Sequence, residues 1–240
     1  MAAPCKKSKK IIGVEKFNEM AKRRQLLNYN GPTIDSLYKD YVCNESDMET
    51  LYKLIRNRKN AIIYGAPGSR KTTMQEALIA EAVGDNKVLF ISPEGELDAQ
   101  NIPNLTTISA DSQAPKSVKG FDYSFWDFSW DKALEFAPAL LRAVLECNIP
   151  VITTLNIGWT TRNKSGINQI TDVYDTLKDY LLAAMDIKHE GPPVSPKLQK
   201  EIDRFTGFIR QAFMADTYYI YMKDMACESV VHCELTPIDK

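Results

Sequence analysis

Ten residues carry the densest chemistry in the chain: YGAPGSRKTT, 64–73. A phosphate needs several donors converging on it. A tight turn of backbone N–H groups opening onto a helix N-terminus supplies them, and the helix dipole there favours negative charge. Gly65 and Gly68 give such a turn its freedom from side chains. Lys71 is placed to reach the outer phosphates, and Thr72 to offer a hydroxyl to Mg²⁺. The candidate nucleotide-binding run is therefore Gly65, Ala66, Pro67, Gly68, Ser69, Arg70, Lys71, Thr72 and Thr73. One position departs from the pattern G-x-x-x-x-G-K-[ST], since Arg70 stands where glycine is expected. That arginine either crowds the turn or adds a guanidinium contact to phosphate, and both readings stay open. The bland alternative is a glycine-containing turn without a ligand.

The flanking elements are those the chemistry requires. NAIIYG, 60–65, reads as a buried strand, and TTMQEALIAEAVG, 72–84, as a helix closing at Gly84 with a left-handed cap. Further strands are expected at KVLFIS (87–92), LTTISA (105–110), KGFDYSFWDFSW (119–130) and IPVITTLNI (149–157). A helix, KALEFAPALLRAVLECN (132–148), separates the last two and carries a proline, Pro138, that can kink it. Strands that are nearly continuous apolar runs, alternating with helices, indicate a parallel sheet covered on both faces. Before the loop the pattern is helical and interrupted: VEKFNEMAKRRQLLN, TIDSLYKDYV and METLYKLIRNRK, with Ser46 and Asp47 as N-cap candidates for the last. After it, two long helical patterns, 167–185 and 196–214, lead to the β-rich stretches TYYIYMKD and ESVVHCELTPI, expected to pair as an antiparallel hairpin at the sheet edge. The organisation expected is a basic flexible tail (1–12), a helical lead-in (13–58) and one nucleotide-binding domain (59–240).

The segment GAPGSRKT, 65–72, resembles the Walker A loop of P-loop NTPases, and the order of elements over roughly 60–235 is similar to that of RecA-like ATPases, the group of ring helicases, recombinases and viral packaging motors. The resemblance implies an α/β fold with a mostly parallel sheet, ATP and Mg²⁺ as ligands, hydrolysis coupled to work on nucleic acid, and a homo-oligomer such as a hexamer. It implies roles for further residues. Glu94, in KVLFISPEGE, falls where such enzymes hold the glutamate that activates water, with Glu96 as its rival and solvated loop acids as the alternative. Asp127, in YSFWD, matches the Walker B carboxylate that holds Mg²⁺, in competition with Asp122 and Asp131. Asn156, ending the strand VITTLN, suits a polar sensor of the γ-phosphate, and Arg162 an arginine finger or a nucleic-acid contact. AAA+ proteins are a neighbouring option, since METLYKLIRNRKNAIIYGAPG resembles their helix-to-strand entry, but the acidic pair ending their Walker B strand is absent. A nucleoside or nucleotide kinase ranks lower because no arginine-rich lid segment is visible. A degenerate P-loop module, binding nucleotide for a structural or regulatory role without turnover, is the rival from the binding class.

Composition bounds these readings. The 240 residues are 44% hydrophobic and 25% charged, the balance of an ordinary globular protein. Thirty Lys+Arg against 31 Asp+Glu give no global field for a polyanion, so a nucleic-acid surface, RNA or DNA, would have to be local. Basic clusters exist at Lys22–Arg24 and at Arg56, Arg58 and Lys59. Five scattered cysteines point to free thiols. The basic start lacks the apolar stretch of a secretory leader and no run of about 18 apolar residues occurs, so a cytoplasmic protein, or a viral one acting inside a cell, is expected without a membrane partner. Cys227, His232 and Cys233 lack the spacing of a metal site and read as structural. Tyr218, Tyr219, Tyr221, Trp126 and Trp130 read as core and edge aromatics rather than stacking platforms.

Overall fold

The computed structural model describes residues 31–40, 42–84, 86–92, 102–109, 115–127, 143, 146–157, 167–184 and 195–234. A 7-stranded sheet organises them, in the order β3-β2-β4-β5-β1-β6-β7. The strands are β1 (Asn60–Gly65), β2 (Val88–Ser92), β3 (Leu105–Ser109), β4 (Tyr123–Trp126), β5 (Val151–Asn156), β6 (Ala215–Lys223) and β7 (Ala226–Glu234). Strands β1 to β6 pair in parallel and β7 pairs antiparallel with β6. The expected hairpin is thus present, with β6 inside the sheet against β1 and β7 beyond it. The fold is α/β, a mostly parallel sheet between helices with an antiparallel hairpin at one edge.

Among the described residues the helices are α1 (Ile34–Lys39), α2 (Glu45–Arg56), α3 (Lys71–Ala82), α4 (Ile167–Ala184) and α5 (Pro196–Met214). Helix α1 starts in a capping box, where Thr33 and Ser36 each bond the other's backbone N–H through a side-chain oxygen. Helix α2 is capped by Asn44 rather than by Ser46 or Asp47, which is a correction to the sequence reading. The Asn44 Oδ1 accepts from the Asp47 N–H at 2.9 Å, the reach of an N-cap to the third helical residue, and the Asp47 carboxylate accepts from Asn44 Nδ2 at 2.6 Å. Two other elements are shorter than their patterns: TIDSLYKDYV is helical only over Ile34–Lys39, and the aromatic run is a strand only over Tyr123–Trp126. Gly84 has φ +98, one residue beyond the Val83 cap of α3, as its left-handed role requires. The helical patterns at 14–28 and most of 132–148 lie outside the described residues.

The period of two along each strand divides the core between the sheet's faces. Ala61, Ile63, Phe90, Phe125, Ile152 and Ile220 face α1, α2 and α3 through Leu37, Leu51, Leu54, Met74 and Leu78. Ile62, Tyr64, Leu89, Ile91, Trp126, Leu155 and Tyr219 form the other layer with Val173, Leu177, Ile209 and Phe213 of α4 and α5. Burying a side chain such as Leu54 or Phe213, both at 0% exposure, stabilises the fold by about 1.5–3 kcal/mol each. Tyr64 stacks on Tyr221, ring centroids 5.1 Å apart, which ties β1 to β6 beneath the loop.

Candidate phosphate-binding site

Parallel strands all end at one edge, and the residues with chemistry gather there. The loop leaves β1 at Gly65, where a Cβ would run into the Met222 carbonyl oxygen of β6 and come within 2.7 Å of Ser69 Oγ. Only glycine fits there. The Gly65 carbonyl accepts from the Ile157 N–H at 3.2 Å, and the turn closes through Ser69 N–H to Ala66 O, also 3.2 Å. Gly68 takes φ +76. Arg70, the odd letter of the motif, sits at φ 66, ψ 30, left-handed, as the residue before α3. The pattern wants glycine at this position because that conformation costs an L-residue about 1–2 kcal/mol. The backbone of Arg70 nonetheless completes the turn, since its carbonyl accepts from the Met74 N–H at 3.1 Å and so starts the helical ladder.

Lys71 opens α3 and is only 9% exposed. Its Nζ donates to the Ala66 carbonyl at 2.7 Å, folding the side chain back over the loop. Burial pulls its pKa down to about 8, partly opposed by the Asp127 carboxylate. A phosphate brought to the loop supplies the negative charge that burial otherwise denies this ammonium. The first N–H groups of α3 have no partner within the helix and are available to the same anion.

Asp127 follows β4 and is anchored by its own N–H to the Ile91 carbonyl of β2 at 2.8 Å. Its two carboxylate oxygens accept from two hydroxyls: Thr72 Oγ1 at 3.2 Å and Thr154 Oγ1 at 2.6 Å. One strand, β5, lies between β1 and β4, and this spacing sets the carboxylate beside the start of α3. Thr72 and Asp127 are hard oxygen donors in contact, the kind of pair that suits Mg²⁺ when phosphate oxygens and waters complete its shell. Their residue types and spacing fit that ion. Asp122, the competitor, is at the opposite end of β4, 3.5 Å from Arg58 and accepting from the Lys87 N–H. Asp131, Glu94, Glu96 and Arg162 lie outside the described residues.

The β5 register places Asn156 directly beside Gly65. Ile152, Thr154 and Asn156 share one face of the strand, the face toward α3, so Thr154 and Asn156 both look onto the loop's side of the sheet. Thr154 went unnoticed in the sequence; its signal is a polar residue inside a buried apolar run. Gln75 was also missed. At 0% exposure on α3, its Nε2 donates to the Trp126 carbonyl at 3.0 Å and the Ile152 carbonyl at 3.2 Å, fastening the helix across β4 and β5. A glutamine one helical turn after Lys71, among buried apolar residues, was the available clue.

The remaining constellations are structural in geometry. His232 Nε2 lies 2.7 Å from Asp216 Oδ1 and its ring stacks on Tyr218 at 4.3 Å. Burial pushes the Cys227 thiol far above its ordinary range. Among the described residues no three His, Cys, Asp or Glu side chains group as a metal site, and no helix is long and apolar enough to cross a membrane.

The class these features define is that of α/β proteins with a P-loop between a parallel strand and a helix. Comparison with known proteins adds little to it. No family model matches the chain, and no curated protein does. Among solved structures it is similar to the VirB11 ATPase of the Brucella suis type IV secretion system, determined in complex with sulphate, at 12% identity and TM-score 0.49. The likeness covers 97% of this chain and 63% of that one, so this chain spans less than two thirds of that ATPase. A likeness at this level says nothing of what this chain binds or does.

Proposed function

We propose that the chain is a Mg²⁺-dependent nucleoside triphosphatase, with ATP as substrate, that couples hydrolysis to work on nucleic acid as part of a homo-oligomer. The observation that carries the catalytic half is the meeting of Thr72 and Asp127, 3.2 Å apart across 55 residues of sequence, beside a buried lysine at a helix start. In this reading the loop N–H groups and the α3 terminus cradle the phosphates, and Lys71 gives up its contact with the Ala66 carbonyl to reach the outer ones. Thr154 aims the Asp127 carboxylate by its short hydrogen bond, and Gln75 keeps α3 in register with the strands that carry Asp127 and Thr154. Mg²⁺, when bound, would neutralise charge developing on the transferred phosphoryl group. Glu94 is assigned the water-activating role, Asn156 that of γ-phosphate sensor, and Arg162 that of an arginine finger toward a neighbouring subunit.

Phosphate release from Mg²⁺-ATP, with and without single-stranded RNA or DNA, tests this reading. Turnover that is lost in Lys71→Ala and Asp127→Asn and stimulated by polynucleotide is expected. ATP binding with no turnover under any condition would overturn it in favour of a nucleotide-binding module, and phosphate transfer to a nucleoside would favour a kinase.

A further inference from the structure

At the opposite end of β1 from the phosphate loop lies a second concave site. It opens at the N-terminal ends of β1, β5 and β6, against α5, and encloses about 980 Å³. Since β1 runs six residues from Asn60 to Gly65, the two sites are separated by about 17 Å of strand. Nothing in the phosphate chemistry described above uses this cleft.

Its lining combines three kinds of group. Phe205 and Phe208 of α5 pack edge to face, centroids 6.5 Å apart, and both are only half-buried. The Arg204 guanidinium lies 5.5 Å from the Phe208 centroid. Asn57, Asn148 and Gln211 present exposed carboxamides that make no side-chain hydrogen bond with a described residue. The other cations of the cleft are occupied. Arg58 faces Asp122 at 3.5 Å, and Lys59 pairs with Asp216, which also holds His232. Arg204 is therefore the cation in the cleft that has no acid partner among the described residues.

An aromatic pair, an available guanidinium and loose carboxamides together match one ligand chemistry: a planar heterocycle with hydrogen-bonding edges, attached to an anion. That is a nucleotide unit, with the ring stacked on one phenyl face and edged by the other, its own edge read by amides and its phosphate held by arginine. A duplex hides those ring faces, so an unpaired strand is required. The enclosed volume is at the upper end of the roughly 300–1,000 Å³ range of small-molecule pockets, more room than a single mononucleotide needs. The Glu146 carboxylate on the β5 side repels phosphate, which leaves the α5 side for the backbone.

We propose that this cleft binds a short run of single-stranded polynucleotide, with a base on the Phe205 and Phe208 pair and a phosphate on Arg204. The inference rests on the polynucleotide partner proposed above and gives it a location. The strand β1, paired with β5 and β6, runs from this cleft to the phosphate loop.

Fluorescence anisotropy of a labelled single-stranded oligonucleotide, titrated with the full chain, tests it. Arg204→Ala and Phe208→Ala are each expected to weaken binding about tenfold, with Mg²⁺-ATP affinity unchanged, while Lys71→Ala loses ATP and keeps the oligonucleotide. Arg204→Glu, at an exposed position, carries the test if Phe208→Ala does not fold. Wild-type binding in both Arg204 variants would place the polynucleotide elsewhere and sink the inference while leaving the proposed function standing. No oligonucleotide binding by the unaltered chain would sink both. A free mononucleotide that displaces the oligonucleotide at equal concentration would overturn the polynucleotide assignment in favour of a small-molecule site.

Discussion

Replacing Arg70 by glycine is expected to stabilise the protein, although it removes a charged residue from the centre of its most functional segment. Arg70 is held at φ 66, ψ 30, where a side chain bearing Cβ costs about 1–2 kcal/mol. Glycine avoids that cost but gives back about 0.5–1 kcal/mol through the larger entropy of its unfolded chain. The net gain is about 0–1.5 kcal/mol, which in a chain of this size corresponds to at most about 6 °C in Tm. Arg70→Ala is the control, because alanine keeps Cβ and hence the strain, and it should leave stability unchanged. Urea and thermal unfolding of the three proteins decide the matter. A glycine variant no more stable than the alanine variant would refute the argument that backbone strain resides at this residue. Equilibrium binding of ATP to the same proteins separates the two readings of the side chain. Affinity that falls alike in both variants assigns the guanidinium a phosphate contact, whereas unchanged affinity makes Arg70 a tolerated occupant of a glycine position.

Three further outcomes are expected. Gly65→Ala should destabilise by about 3 kcal/mol, since its Cβ meets backbone of β6 that cannot move aside as a flexible side chain would; unfolding as easy as in the parent would contradict the packing at this point. Lys71 has its folded-state pKa lowered to about 8 from an ordinary 10.5, so between those values the unfolded chain holds the extra proton and stability should rise with pH, by at most about 3 kcal/mol. The burial cost is fully present below pH 8, ATP affinity should fall as the ammonium deprotonates above it, and Lys71→Met should flatten both profiles when unfolding and binding are measured from pH 7 to pH 10. Thr154→Val removes a 2.6 Å hydrogen bond to a carboxylate, worth about 1.5–3 kcal/mol, and should depress Mg²⁺-dependent turnover more than ATP binding. Equal losses in both would mean that Thr154 does not act through Asp127.

The local features of this chain were legible in its sequence because local physics produces them. An apolar run ending in Gly65 becomes β1, Lys71 and Thr72 open a helix, and Gly84 ends it, since strand burial, turn geometry and helix capping act over a few residues. The left-handed conformation of Arg70 was implicit in the same way, in the glycine that the loop pattern asks for. Partnerships across the sheet were not legible. Every buried parallel strand reads as a similar apolar run, so nothing local says that β5 rather than β4 lies beside β1. The sequence favoured Asp127 but left Asp122 as a rival; tertiary packing separates the two, with Asp127 at the loop's edge of the sheet against Thr72 and Asp122 at the far edge beside Arg58. It also recruited Thr154 and Gln75, whose hydroxyl and amide look like isolated polar residues until the strands they bridge are side by side. The cleft beneath β1 has the same origin. Phe205, Arg204 and Asn57 are unremarkable as letters, and become one surface only because parallel pairing brings the starts of three distant strands together against α5.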